Sequence, residues 1–201
     1  MSWIKVINYE EAEPNLKKIY NRVKGPNNNV DNVLKIHSLR PHTLTGHMTL
    51  YKNVLHNSNN TLPKWYLEAL GIYVSHLNKC DYCVAHHYAG FQRIYPDASE
   101  TERFRKAVED DQLETFFDGK LLLGTAYAKQ LTHAHHTIKK EDIDNLREVG
   151  FTDGEILEIN QVVSYFNYVN RTVVGLGVNT KDDILGLSPN NSDDANSWNH
   201  D

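Results

Sequence analysis

The sequence predicts an all-α protein. Apolar residues recur at three- and four-residue steps along most of the chain, no stretch shows the two-residue alternation of a half-buried strand, and Pro, Asn and Thr fall between the periodic stretches as helix stops and caps. With 201 residues, 40% of them hydrophobic, the chain can fill one core, so a single helical domain is expected over residues 1–187. Beyond Leu187 the composition turns polar, and residues 188–201 are expected to be a disordered tail.

Each element follows from local chemistry. Between Ile4 and Val23, the residues Tyr9, Ala12, Leu16, Ile19, Tyr20 and Val23 form one apolar stripe behind acidic Glu10, Glu11 and Glu13, which predicts a first helix ending near Gly25-Pro26. Residues 27–31 read as a polar loop. Val33 to Tyr51 reads as two short helices, because Pro41 lacks an amide donor and pushes Arg40 out of helical geometry. Thr61 can cap and Pro63 fits a first turn, so a helix is expected from about Leu62 to Leu77. Asn78 interrupts it and starts a second helix that carries both cysteines and stops at Pro96. Residues 97–111 read as a charged surface helix, and residues 113–131, with Leu121, Leu122 and Leu123, as a buried one. Residues 140–149 and 153–174 complete the set, the last behind a capping box of Thr152 and Glu155.

Charge and composition narrow the function classes. A net charge of −5 with scattered Lys and Arg leaves no footprint for a nucleic acid backbone. No apolar run reaches the length of a membrane span and no basic-then-apolar leader opens the sequence, so no membrane partner and a cytoplasmic location are expected.

The informative residues are the two cysteines, Cys80 and Cys83, separated by two residues in a chain with no others. If Asn78 caps the second helix, both sulfurs lie on one face at its N-terminus, where unpaired amides and the dipole stabilise a thiolate. This spacing suits a reversible disulfide. His87 follows Cys83 by four residues, one turn along the same face, within reach as a base or a cationic partner. Glu68 lies twelve residues before Cys80, about 18 Å along a continuous helix at ~1.5 Å per residue, so it can join them only if the chain folds back at Asn78-Lys79. Leu67, Ala69, Ile72 and Tyr73 around it predict a buried carboxylate suited to taking a proton. Zinc bound by Cys80, Cys83, His86 and His87 is the weaker reading, since one helix cannot wrap a tetrahedral ion. His133, His135 and His136 read as an exposed loop, and Asn170-Arg171 as a structural polar contact or interface.

Glu68, eleven intervening residues, Cys80-Asp81-Tyr82-Cys83, three more and His87 together resemble the signature of the alkylhydroperoxidase D family, within the carboxymuconolactone decarboxylase superfamily of helical proteins. Ser75-His76-Leu77-Asn78, His86-His87 and Ser38-Leu39-Arg40-Pro41 look like its peroxidase-related branch, and the similarity runs from about Trp3 to Val178. The resemblance implies an enzyme that reduces hydroperoxides through a CxxC redox pair, without a bound cofactor or metal. Cys83, paired with His87, would be the nucleophile, Cys80 the partner that closes the disulfide, and Glu68 the proton relay. It further implies a small hydroperoxide substrate, a dithiol reductant of the lipoyl or thioredoxin-like kind, and a homo-oligomer, trimer or hexamer. Tyr82 stands where the family carries a histidine, and a tyrosine, titrating near ~10, is a poor base at neutral pH. Two other functions are compatible with the superfamily: a lyase acting on a small lactone acid, which needs no cysteine redox change, and a non-catalytic oligomer whose cysteine pair senses redox state or binds zinc.

Overall fold

Proline sets the start of the first helix. In the computed structural model, which describes residues 2–194 and 196–200, Glu13 is held extended by the ring that follows it. Helix α1 then runs Pro14–Val23, with Pro14 at a position where its missing donor is harmless. The helix expected from Ile4 therefore begins only at Pro14. Helices α2 (Asn32–Lys35) and α3 (Pro41–Leu55) are the two short ones expected around Pro41. They are followed by α4 (Lys64–Leu77), α5 (Asp81–Ile94), α6 (Thr101–Glu109), α7 (Gly119–Ala134), α8 (Lys140–Glu148) and α9 (Asp153–Gly175). Among the described residues there is no strand beyond an isolated bridge between Pro189 and His200. No described helix is long and apolar enough to cross a membrane.

The capping box of α9 is present: the Glu155 amide donates to Thr152 Oγ1 at 3.2 Å and the Thr152 amide to Glu155 Oε2 at 2.7 Å. Thr61 does not cap α4, whose N-cap is Pro63. Its amide and hydroxyl donate instead to Glu158 of α9, at 2.8 and 2.9 Å.

Helix α4 is the centre of the molecule. Every residue from Tyr66 to Ser75 is buried, as expected of a helix packed on several sides, and it packs mainly on α5, α7 and α9, with α3 and α6 also touching it. The crossing with α9 is close enough that a Cβ on Gly71 would stand 2.2 Å from the Phe166 ring, so only glycine fits there. This tight crossing holds Glu68, one turn before Gly71, in the interior.

Between α4 and α5 the chain reverses in three residues. Asn78 ends α4 rather than starting α5, contrary to the sequence expectation. The Lys79 amide donates to the His76 carbonyl and the Cys80 amide to the Ser75 carbonyl, both at 2.9 Å. Lys79 takes the left-handed conformation, φ 56°, of the turn that usually carries glycine. This turn folds α5 back against α4.

The expected disordered tail is corrected by packing. Trp198 is fully buried, with the Arg22 guanidinium 3.6 Å above its ring, and buried Lys52 donates to Asn190 and, at 3.1 Å, to Ser192. One large aromatic side chain and one buried ammonium are enough to pin a segment whose average composition is polar. Of residues 188–201, Ala195 and Asp201, like Met1, lie outside the described residues.

Candidate active site

The reversal at Lys79 makes Cys80 the N-cap of α5 and puts Cys83 in its first turn, where backbone amides lack intrahelical partners. Both cysteines are free and buried. The Cys80 thiol is pulled below its ordinary value by a hydrogen bond from the Cys83 thiol, with help from the Cys83 amide and the Asn170 carboxamide against the opposing effect of burial. Cys83 is pushed well up, first by burial and then by Cys80. The helix N-terminus was expected to favour a thiolate; Cys80 is lowered, but chiefly by the Cys83 thiol, with the Cys83 amide contributing less. At Cys83 desolvation outweighs such help.

One turn beyond, His87 Nδ1 lies 2.7 Å from Glu68 Oε2, and the carboxylate is 3% exposed. The fold thus brings Glu68, Cys83 and His87 to one cavity of about 50 Å³, whose other walls include His47, Tyr51, Tyr82, Tyr165 and Leu187. Cys80 is not on the cavity wall and is linked to it through its hydrogen bond with Cys83. Asn170, read from sequence as a structural contact, is more than that. Buried in α9, it donates to Ser75 Oγ at 3.0 Å, accepts from Asn78 at 3.0 Å and lowers both thiols.

No protein-family model matches the sequence, and no curated protein does. Solved structures do. An uncharacterized peroxidase-related protein from Ralstonia eutropha JMP134, described as an alkylhydroperoxidase AhpD core, superposes with a TM-score of 0.76 at 21% identity, over 89% of this chain and 91% of that one. An uncharacterized peroxidase-related protein from Silicibacter sp. TM1040 gives 0.74 at 23% identity with the same coverage. The chain has the alkylhydroperoxidase D-like fold. A debrominase, Bmp8, shares that fold more distantly, with a TM-score of 0.65 at 16% identity over 83% of this chain and 86% of the other.

Within the alkylhydroperoxidase D-like fold, Tyr82 turns its hydroxyl away from the thiols. It donates to Asp183 Oδ2 at 2.7 Å and accepts from the Val33 amide at 3.1 Å, while Glu68 and His87 are hydrogen-bonded to each other on the cavity wall. His86 also departs from the cysteines: its Nε2 stands 3.3 Å from Asp183 Oδ2, outside hydrogen-bonding geometry. Cys80, Cys83, His86 and His87 therefore do not converge on one point, and among the described residues no three His, Cys, Asp or Glu side chains form a metal-holding group. His133, His135 and His136 are exposed, as expected, but not in a loop: His133 lies in the last turn of α7, and His135 and His136 form a 3-10 turn that follows it.

Sequence reasoning missed His47, Tyr51, Tyr165, Asp31 and Asp183. His47 is buried and its Nδ1 has no partner; burial lowers its pKa to about 3, so it stays neutral. Asp31 is the nearest to a readable signal, since an acid just before an Asn-Val-Leu helix start invites a capping role. It makes no side-chain cap.

Burial pushes the Asp31 carboxyl from 3.8 to about 6, with His86 opposing the shift and Asp183 adding to it. The native state therefore holds a proton at Asp31 that the unfolded chain has released, and stability falls as the pH rises from about 4 to about 6. A shift of this size is worth about 3 kcal/mol once complete. Asp31→Asn, which can keep the hydrogen bond from Asn29, is expected to raise the urea midpoint at pH 7.5 and to flatten the decline between pH 4 and 6. An unchanged slope in the variant would show that Asp31 does not titrate this way.

Proposed function

We propose that the chain is a thiol peroxidase acting as a disulfide oxidoreductase. The observation that carries this is Cys83, hydrogen-bonded to Cys80, sharing one cavity with the Glu68-His87 pair. Of the two thiols Cys80 is the more readily ionised, while Cys83 is the sulfur that an oxidant in the cavity meets. Once Cys80 is ionised, moving the shared proton from Cys83 to Cys80 along their hydrogen bond makes Cys83 the thiolate. The Cys83 thiolate attacks the terminal oxygen of ROOH, the O–O bond breaks, and the alkoxide leaves as ROH with a proton supplied through His87 and Glu68. Cys83 is then a sulfenic acid, and Cys80 attacks it, forming the disulfide and releasing water. A dithiol of the lipoyl or thioredoxin-like class returns both cysteines to thiols and is itself oxidised to a disulfide. This cycle suits a reducing compartment such as the cytoplasm, and the resemblance adds assembly as a homotrimer or hexamer.

A reductive dehalogenation at the same thiols is the second reading, favoured by the aromatic walls of Tyr51, Tyr82 and Tyr165 and by the fold shared with Bmp8, which is seen bound to 2,3,4-tribromopyrrole. Size weighs against it, because a cavity that binds benzene measures about 150 Å³ and this one about 50 Å³. Thiol-labelling mass spectrometry before and after one equivalent of hydrogen peroxide tests the proposal. Loss of both free thiols and formation of the Cys80-Cys83 disulfide, reversed by dihydrolipoamide, is the expected result. Two thiols that stay labelled after treatment would reject it.

A further inference from the structure

The outer wall of the thiol cavity comes from the far end of the chain. After α9, the chain crosses α2, where Asn32 donates its side-chain amide to the carbonyls of Asn179 and Lys181 at 2.9 and 2.8 Å. The Asn32 backbone amide then meets the Asp183 carboxylate at 3.0 Å. At α5 the segment comes down onto the helix backbone itself. Gly186 has φ +79°, and a Cβ there would lie 2.9 Å from the Ala89 carbonyl carbon, so the close approach depends on glycine. Arg93 fixes the approach from outside, donating to the Gly186 carbonyl at 2.7 Å and to the Leu185 carbonyl at 3.0 Å. Leu187 and Ser188 then line the cavity that Cys83 also lines, and His200 comes back to line it as well. Lys52 of α3 and Arg22 of α1 anchor what lies between, through Asn190 and Trp198. The segment is thus tied to four helices and leaves about 50 Å³ beneath it.

We propose that residues 186–188, backed by His200, are the specificity-determining wall of the thiol pocket, limiting what reaches Cys83 to molecules the size of hydrogen peroxide or a short-chain alkyl hydroperoxide. A cavity one third of that which accepts a benzene ring leaves no room for an aryl or lipid hydroperoxide unless the wall moves. The choice of hydroperoxide as the small molecule rests on the function proposed above; the size limit itself does not.

Two full-length variants test it. Leu187→Ala removes part of the wall, and Arg93→Ala, whose side chain lies outside the cavity, releases the carbonyl clamp. Cys83 alkylation is followed by mass spectrometry with a small reagent, iodoacetamide, and a bulky one, fluorescein maleimide, while disulfide formation is followed with hydrogen peroxide and with cumene hydroperoxide. In both variants the bulky-to-small ratio of alkylation rates is expected to rise about tenfold, the scale on which one apolar contact discriminates between ligands. The cumene-to-hydrogen-peroxide ratio should rise with it. An alkylation ratio unchanged in both folded variants overturns the proposal. A ratio that rises while neither peroxide oxidises the thiols of any form supports the wall and removes the peroxidase reading instead.

Discussion

Replacing Cys83 with serine is expected to reduce hydroperoxide turnover to background, a loss of roughly 10³-fold or more, because a hydroxyl cannot form the sulfenic acid on which the cycle depends. Cys80→Ser should behave differently. Its Cys83 still faces the cavity, so one equivalent of peroxide should be consumed and the reaction should stop at a sulfenic acid that dimedone traps. The serine also removes the sulfur to which Cys83 donates its proton, so that single turnover should be slower than in the parent chain. Steady-state assays with a dihydrolipoyl donor, combined with intact-mass spectrometry, separate the two outcomes. A double Cys80→Ser, Cys83→Ser variant that turns over as fast as the parent would end the thiol mechanism.

The second large effect is expected at Glu68. Glutamine there can still accept the 2.7 Å hydrogen bond from His87 Nδ1, so the cavity should keep its shape while the ability to take up a proton is lost. The rate of thiol oxidation is expected to fall by about 10²- to 10⁴-fold, the range of general acid–base contributions. Glu68→Ala should in addition lower the melting temperature, since it strands the His87 ring nitrogen against a buried void. A Glu68→Gln variant that oxidises its thiols as fast as the parent would mean that Glu68 acts only by holding His87 in place.

The helical class and the α4-α5 hairpin were legible because their signals are local. Three- and four-residue periodicity marks the helices, and the CxxC with a histidine one turn on marks the site. Glu68 was legible once the chain was required to fold back at Asn78-Lys79. The details of that reversal were not, because a lysine in left-handed geometry gives none of the glycine signal that usually announces such a turn. The first helix was overextended where apolar spacing was followed through Pro14, whose ring permits a helix start but not an interior. The rest of the site was hidden by distance along the chain. Tyr82 meets Asp183 across 101 residues and Asn170 meets Ser75 across 95, and no motif at either end records such a pairing. The closing segment was hidden for a related reason: its anchors, Trp198, Gly186 and Asp183, are single residues in a polar stretch, and each acts through a partner on another helix.

The placement of Glu68, Cys80, Cys83 and His87 on one hairpin bears on how the protein assembles. The most distant two are 19 residues apart, so closing that loop costs little chain entropy, whereas the contact between Asn32 and Asp183 must close 151 residues. Short-range pairing is favoured early and long-range pairing late. The reactive groups are therefore expected to meet while still open to solvent, and enclosure to be the last stage of folding. A newly made chain would then pass through a stage in which its sulfurs are vulnerable to any oxidant, whatever its size.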